Sequence, residues 1–275
     1  MLGQSRIGRI TSSEIVALMS NDKSGKNPGA PFYTYVEECK IERLYQTSID
    51  SDVGTKAIQW GRLCEGYVAS KNLDSTSQDF TGSKILELVE DGYNFIDQST
   101  LLHRKYPDFW CGSPDNIDFD NYILDDDKCP SSLKTLYNLT FPLYDKHLNY
   151  IDIDGNEAIK LIRKKSKDGE KFYQQIVSNV CILESITNIK YKGRLNIFFP
   201  KYNTLYDIKA YYKSPDYMGD IIYSLEPDLV NFDQFPHLPN ESKMKEYNSI
   251  TFDIPDEDKI ALEERVIQAI ELINA

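Results

Sequence analysis

The sequence predicts one domain of the α/β class. The chain has 275 residues, of which 41% are hydrophobic, and this supports an ordinary globular core. Segments with the apolar period of a helix occur along the chain, together with short apolar runs that are bounded by turn residues, as strands are. There is no internal repeat and no low-complexity segment. We therefore expect residues 1–275 to form a single domain of helices and strands.

Two helices are predicted in the first quarter of the chain. Residues 32–45 follow a loop that is rich in glycine and proline, and residues 55–71 carry an apolar stripe at helical spacing. Glu65 lies at the shoulder of this stripe, where a carboxylate needs a polar partner. An ordinary salt bridge would meet that need. Upstream, one of residues 11–13 can cap a further short helix, which is the simplest interpretation of that Thr-Ser-Ser run.

A hairpin of two strands is predicted in the middle of the chain. Residues 109–117 and 123–128 have the composition of strands, and residues 116–121 between them are rich in turn residues. Such a hairpin would bring the carboxylate of Asp115 near that of Asp126. The alternative interpretation of this acidic run is a solvated hairpin on the surface.

The side chains of residues 126–128 should alternate between the two faces of the predicted strand. Asp126 and Lys128 then share one face, and Asp127 points to the other. Two carboxylates that converge beside an ammonium group are costly to bury without a counter-ion. A hard divalent cation such as Mg²⁺ takes oxygen ligands and would remove that cost. We therefore expect Asp115 and Asp126 to hold Mg²⁺ or Mn²⁺, with Lys128 left to orient or activate a water molecule.

Further helices and strands are predicted in the rest of the chain. In a helix over residues 169–184, Gln175 lies at the edge of a narrow apolar arc, and Gln174 is one residue away. An amide beside a buried stripe needs polar partners, and a satisfied core amide is the simplest interpretation. Residues 201–248 show no clear period, and we expect a loop-rich insertion or an oligomer contact there. The other predicted elements are strands within 83–103, at 188–200 and at 249–254, and helices at 155–167 and 256–274.

Composition restricts the classes of protein to which the chain can belong. Five scattered cysteines without a CxxC pair favour reduced thiols inside a cell over a disulfide framework or a zinc site. We find no membrane-spanning run and no apolar signal core, so we expect a cytoplasmic protein. The net charge of −12 does not favour a nucleic acid as partner. However, residues 159–171 contain six lysines and arginines, and an acidic exterior with a basic channel would fit both facts.

The predicted hairpin also carries a known signature. A Ser-Pro-Asp run that ends at Asp115 precedes an Asp-Asp-Lys-Cys-Pro run that begins at Asp126. This order resembles the PD-(D/E)xK nuclease signature in the form of the phage lambda exonuclease or YqaJ-like viral recombinase family. Residues 6–14 resemble the Arg-x-Gly-x-Ile-Thr-x-Ser-Glu opening of that family, and residues 60–65 resemble its Trp-Gly-x-x-x-Glu helix.

The resemblance implies a restriction-endonuclease-like core, with a central mixed β-sheet flanked by helices. It implies a Mg²⁺-dependent exonuclease that degrades linear double-stranded DNA, 5′ to 3′, in phage-type recombination inside a bacterial or phage-infected cell. The implied partners are double-stranded DNA ends, further copies of the chain in a ring-shaped trimer, and a single-strand annealing protein. The implied site residues are Asp115, Asp126, Lys128, Gln175 and Glu65 for catalysis, Asp115, Asp126, Glu65 and the backbone carbonyl of Asp127 for the metal, and Arg6 and Ser13 for the DNA phosphate.

Three positions depart from the family pattern. Asp126 stands where Glu is usual, Asp127 stands where an apolar residue is usual, and Asn116 replaces the usual glycine. Either of the first two could alter the metal geometry or weaken the enzyme. Two other functions therefore stay open, namely a DNA-end-binding protein with a degenerate site and an endonuclease of the same superfamily.

Overall fold

The computed structural model describes residues 6–49, 56–72, 100–213 and 235–275. Within these ranges the strands are β1 (Ile10–Thr11), β2 (Leu101–Leu102), β3 (Trp110–Gly112), β4 (Asn116–Asp118), β5 (Ile123–Lys128), β6 (Lys192–Phe198) and β7 (Tyr247–Phe252). The helices are α1 (Ala30–Tyr45), α2 (Lys56–Asn72), α3 (Leu133–Thr140), α4 (Gly155–Lys165), α5 (Lys167–Thr187), α6 (Thr204–Tyr212) and α7 (Asp256–Asn274).

Two mixed sheets lie among these helices. The smaller sheet has the order β1-β3-β2, with β1 parallel and β2 antiparallel to β3. The larger sheet has the order β4-β5-β6-β7, in which only the central pair β5–β6 is parallel. The predicted α/β class with a mixed sheet is confirmed, although the described strands form two hydrogen-bonded sheets rather than one.

Helix α5 lies at the centre of the core. Its N-cap residue is Ser166, whose hydroxyl accepts a hydrogen bond from the N–H of Gly169 at 3.0 Å, as is favourable at this position. Almost every residue from Tyr173 to Leu183 is buried, and the helix packs against β3, β5, β6, α4 and α7. A helix that is buried on most of its circumference belongs to the interior of a domain. Side chains from α5 can therefore reach both sheets.

The strand predicted over residues 109–117 is instead two strands in different sheets. Three residues separate β3 from β4, and the chain crosses from the smaller sheet to the larger one between them. Pro114 lies in this crossing, and its missing N–H and fixed φ are poorly suited to a continuous strand ladder. The crossing places Asp115 beside β5, where its N–H donates a hydrogen bond to the carbonyl of Asp125 at 3.2 Å.

Residues 11–13 do not cap a helix. A single 3-10 turn, Ile15–Ala17, follows Glu14, and no side chain caps it. The hydroxyl groups upstream are engaged elsewhere, because Ser12 contacts Ser178 of α5 at 2.8 Å and Ser13 accepts a hydrogen bond from Arg6 at 3.0 Å. This loop is therefore held by side-chain contacts rather than by a helix cap.

Helix α6 forms within the stretch that showed no clear sequence period. Its buried residues Leu205, Ile208 and Tyr212 pack with Trp60 and neighbouring residues of α2 in a second apolar cluster. Residues 214–234 of the predicted insertion and residues 83–99 of the predicted strands lie outside the described residues. The five cysteines are free thiols in the structure. None of the described helices is long and apolar enough to span a membrane.

Candidate active site

The centre of the site is a buried carboxylate on β5. Asp126 is fully buried, and it shares a face of the strand with Lys128, whose Nζ lies 2.6 Å from Asp126 Oδ2. Gln175 reaches the same carboxylate from α5 and donates a hydrogen bond from Nε2 to Oδ1 at 2.8 Å. Gln174 is directed elsewhere, since it donates to Glu170 at 2.7 Å. Of the two glutamines, the structure thus brings Gln175 into the site.

On the opposite face of β5, two carboxylates accept hydrogen bonds from side chains of β6. Asp125 is buried, and Arg194 donates to both of its carboxylate oxygens, at 2.5 and 2.7 Å. Asp127 accepts a hydrogen bond from Asn196 at 2.8 Å, and Asn196 in turn accepts one from Ser249 at 2.8 Å. The run of three aspartates is therefore divided between two faces, and only Asp126 is turned toward Lys128 and Gln175.

Asp115 approaches the site from the crossing between the sheets. Its Oδ2 accepts a hydrogen bond from the backbone N–H of Asp127 at 2.6 Å, which fixes the carboxylate next to Asp126. The residue is solvent-exposed, yet protein atoms surround the carboxyl group itself, and this burial raises its pKa while Lys128 acts against the rise. Exposure of the residue and crowding of its carboxyl group fit a position at the mouth of the site.

Glu65 lies on α2, which packs against β5, and its carboxyl group interacts electrostatically with Asp115 and Lys128. Burial, followed by the negative charge of Asp115, raises the pKa of Glu65 to about 7, while Lys128 lowers it. In the same way, burial and then the charge of Asp115 raise the pKa of Asp127 to about 6. The acids at this end of β5 therefore disfavour one another's ionised form.

One ammonium group compensates these acids. Burial raises the pKa of Asp126, the charge of Lys128 opposes that rise, and the charge of Asp115 adds to it. Burial alone would lower the pKa of Lys128, but Asp126 and Asp115 together raise it. Lys128 therefore stays an ammonium ion near neutral pH, and the site still carries more acid than base.

The donor atoms at this site fit a hard divalent cation. Asp115, Asp126 and Glu65 offer carboxylate oxygens, and Asp126 Oδ2 is buried without a hydrogen bond even though Lys128 touches it. Within the described part of the chain, no group of three or more His, Cys, Asp and Glu side chains is arranged to hold a metal ion, so Glu65 does not complete a three-acid site with Asp115 and Asp126. A Mg²⁺ site commonly uses only one or two carboxylates, because water and substrate phosphate supply the other oxygens. Asp115 and Asp126 therefore suit Mg²⁺ in type and number.

Sequence reasoning did not find Phe172, Arg194 or Asn196. The ring centroid of Phe172 lies 5.2 Å from Lys128 Nζ, and Phe172 precedes Gln175 by three residues on α5. Residues three apart on a helix are neighbours, so this spacing was a usable signal. Arg194 and Asn196 are found only through the register of β6 against β5, which the sequence does not specify.

The predicted phosphate-binding residues form a pair of their own. Arg6 Nη2 donates a hydrogen bond to Ser13 Oγ at 3.0 Å, and Arg6 Nε is buried without a hydrogen-bond partner. Among the described residues, no hydrogen bond or ion pair joins Arg6 or Ser13 to the acids of the site. The structure thus brings these two residues together, but not into direct contact with Asp115 or Asp126.

The loop that carries this pair is attached to α5 on both sides of Gln175. Glu14 forms an ion pair with Lys171 at 3.5 Å, one helical turn before Gln175. Ser12 contacts Ser178, three residues after Gln175, through the hydroxyl contact described above. A single helix therefore positions both the amide at the carboxylate and the loop of the Arg6–Ser13 pair.

Comparison with solved structures identifies the fold. An alkaline exonuclease (LHK-Exo) from Laribacter hongkongensis matches with a TM-score of 0.52 and 15% identity, over 98% of this chain and 89% of that one. The fold is that of the PD-(D/E)xK nucleases. The complex of LHK-Exo with dAMP gives the same TM-score and identity, over 98% and 90% of the two chains. A phage related exonuclease from Haemophilus somnus 129PT gives a TM-score of 0.50 and 13% identity, over 96% and 93%.

No protein-family model and no curated protein matches this chain. At identities of 13 to 15%, the likeness to the solved structures establishes the PD-(D/E)xK fold and nothing finer.

Proposed function

We propose that the chain is a metal-dependent exonuclease that degrades linear double-stranded DNA from the 5′ end in phage-type recombination. The main support is the contact of Lys128 and Gln175 with the two oxygens of one buried carboxylate, Asp126, beside Asp115. The similar solved structures are named as exonucleases, which favours DNA as the substrate.

Each polar residue of the site has a role in this proposal. Asp115, Asp126, Glu65 and the backbone carbonyl of Asp127 would hold Mg²⁺ or Mn²⁺. When bound, the cation supplies positive charge opposite the negative charge that develops on the scissile phosphate.

Lys128 and Gln175 would position the attacking water. In the absence of a cation, Asp126 and Asp115 raise the pKa of Lys128 against the effect of burial, so its ammonium group can donate hydrogen bonds to the water and to the phosphate. Gln175 donates to Asp126 through its amide nitrogen, and its amide oxygen can accept a hydrogen bond from the water.

Arg6 and Ser13 would bind the 5′-terminal phosphate. A guanidinium group can donate two parallel hydrogen bonds to a phosphate, and the buried Nε of Arg6 is a donor without a partner. A contact of this kind positions the DNA end and carries no information about its sequence.

Replacing Arg6 with Ala should therefore slow the enzyme mainly on phosphorylated ends. We expect degradation of 5′-phosphorylated duplex to fall by about ten- to a hundredfold, the equivalent of one or two charged hydrogen bonds. Degradation of 5′-hydroxyl duplex should change much less. Initial rates on both substrates give the comparison. Equal slowing on both ends, or on neither, would remove Arg6 from the site.

The unusual residue Asp127 does not by itself indicate a degenerate site. A buried or half-buried acid requires partners, and Asp127 has one in Asn196, which is itself held by Ser249. The structure thus accommodates an acid at the position where the family usually has an apolar residue. This weakens the case for a protein that binds DNA ends without cutting them.

The function is tested with 5′-phosphorylated linear duplex and nicked circular DNA. We expect Mg²⁺-dependent degradation of the linear duplex, none in EDTA, and a loss on the order of a hundred- to a thousandfold in Lys128→Ala. Mg²⁺ should also raise the melting temperature of the wild type but not of Asp115→Ala/Asp126→Ala, because a ligand stabilises the state that binds it.

The alternatives predict different results in the same assay. An endonuclease would cut the nicked circles as fast as the linear duplex. A DNA-end-binding protein would bind the linear duplex and leave it intact with either Mg²⁺ or Mn²⁺. A homotrimer and a single-strand annealing partner belong to the proposal through the sequence resemblance alone, and sedimentation equilibrium tests the trimer.

A further inference from the structure

The corner between α4 and α5 is basic in a chain that is acidic overall. Residues 160–171 contain six lysines and arginines against two acids, Asp168 and Glu170, which gives a local net charge of +4. The whole chain carries −12. Lys164 and Lys165 lie in the last turn of α4, where the helix dipole favours cations, although the close like charges of the cluster still repel one another. Binding of an anionic ligand at the corner would offset this repulsion.

Three of these lysines have no acid partner among the described residues. Lys164, Lys165 and Lys167 are exposed, and no carboxylate of the described residues lies within 4.0 Å of their ammonium groups. By contrast, the neighbouring cations Arg163 and Lys171 are engaged in ion pairs with acids. The charge that is left available at the corner therefore belongs to the three exposed lysines.

The backbone is closely packed at the corner. A Cβ atom on Gly169 would lie 2.5 Å from the carbonyl oxygen of Ile162, so α4 and α5 meet backbone to backbone. Lys165 Nζ lies 5.6 Å from the ring centroid of Tyr137 and 5.4 Å from that of Phe141. Tyr137 is itself 53% exposed. A lysine beside an exposed tyrosine suits a nucleic-acid backbone, because both side chains can donate to phosphate oxygens.

Helix α5 sets the distance from this corner to the candidate active site. Lys167, Lys171 and Gln175 follow one another at intervals of four residues along the helix. Eight residues of α-helix rise about 12 Å. Each strand of a duplex advances about 3.4 Å per nucleotide. For a duplex whose end is bound at Asp126 and which runs along α5, the phosphates beside the corner are therefore those about three to four base pairs from the end.

We propose, on the basis of the proposed function, that Lys164, Lys165 and Lys167 bind backbone phosphates of duplex DNA about three to four base pairs inside the end that is being degraded. These contacts explain how a chain with a net charge of −12 can hold a polyanion. The acidic remainder of the surface repels the duplex, and the corner attracts it along α5 toward the carboxylates.

Two charge reversals of equal size test this assignment. Lys164→Glu/Lys167→Glu changes the corner, and Lys23→Glu/Lys26→Glu changes two other exposed lysines. Both variants have the same net charge, so any effect of overall charge is the same in both. A glutamate at position 167 lies in the first turn of α5, where the helix dipole favours an acid. Lys164→Gln/Lys167→Gln and thermal melting of all variants control for folding.

Binding of a fluorescent duplex is measured in EDTA over a range of salt concentrations. We expect the dissociation constant of the corner reversal to rise at least about tenfold. The plot of the logarithm of the association constant against the logarithm of the salt concentration should become less steep by about 1.8, since each of the two lost phosphate contacts contributes about 0.9 to the magnitude of the slope. The control reversal should stay within about twofold of the wild type. In Mg²⁺, the corner reversal should raise KM for duplex and leave kcat unchanged.

Several results would overturn the assignment. Equal weakening in both reversals would mean that only the overall charge matters, and unchanged binding in the corner reversal would mean that no phosphate contacts it. Polyglutamate that binds the wild type as tightly as duplex does, and that loses affinity in the corner reversal, would indicate an acidic protein partner instead. A wild type that binds duplex through the corner but never degrades it would overturn the nuclease proposal alone.

Discussion

Asp126→Asn is expected to lower the rate of DNA degradation by a factor of about a thousand or more, whereas Asp127→Asn keeps most of the activity. The first change removes the buried charge that touches both Lys128 and Gln175. Removal of one electrostatic contact to a transition state commonly costs two to three powers of ten, and here the loss of a metal ligand would add to that. In Asp127→Asn, the side-chain oxygen can still accept the hydrogen bond from Asn196.

The measurement is the initial rate of nucleotide release from 5′-phosphorylated duplex, together with thermal melting of each variant. Asp126→Glu should retain measurable activity, because glutamate is the usual acid at this position in the nuclease family that the sequence resembles. Comparable activity in Asp125→Asn, Asp126→Asn and Asp127→Asn would show that no single acid of this run holds the metal. A dead Asp127→Asn beside an active Asp126→Asn would move the ligand to the other face of β5.

Arg194→Met is expected to lower the free energy of unfolding by about 3–5 kcal/mol, because it leaves the buried carboxylate of Asp125 without its counter-ion. Methionine retains much of the apolar volume of the arginine stem, so the lost charge should dominate the effect. Urea unfolding followed by circular dichroism gives the free energy. The double variant Arg194→Met/Asp125→Leu should recover most of the loss, since an apolar pair can replace a buried ion pair at little cost.

A matched change on the same strand serves as the control. Lys192 forms an exposed ion pair with Asp253 at 3.2 Å, and exposed pairs contribute at most about 1 kcal/mol. Lys192→Met should therefore have a small effect. If Arg194→Met were no more destabilising than Lys192→Met, Asp125 would not depend on Arg194 for its charge.

The parts of the site that could be predicted are those that depend on local periodicity. A strand alternates its side chains, so the separation of Asp126 and Lys128 from Asp127 followed from their positions alone. The helical phase of residues 169–184 placed Gln175 at the edge of the apolar arc, and the family resemblance assigned it, rather than Gln174, to the site. In the structure Gln175 donates a hydrogen bond to Asp126. The identity of the fold came from the order of short motifs rather than from any one of them.

The parts that could not be predicted depend on which distant elements meet. Arg194 compensates Asp125 only because β6 pairs with β5 in one particular register. The break between β3 and β4 reflects a change of sheet, and the apolar run around it looks the same in either case. The buried residues of α6, Leu205, Ile208 and Tyr212, do follow helical spacing, but a helix of nine residues is marginal by itself and depends on packing against α2.

The parallel pairing of β5 with β6 has a consequence for the order in which the molecule can assemble. The β4–β5 hairpin is local and can form within microseconds, but β6 reaches β5 only after residues 129–191 have crossed over through α3, α4 and α5. The strand that carries Asp126 and Lys128 can therefore form early in folding, whereas Gln175 and Arg194 reach their positions beside it late. We therefore expect the candidate site to be complete only after α5 and β6 have joined β5, late in folding.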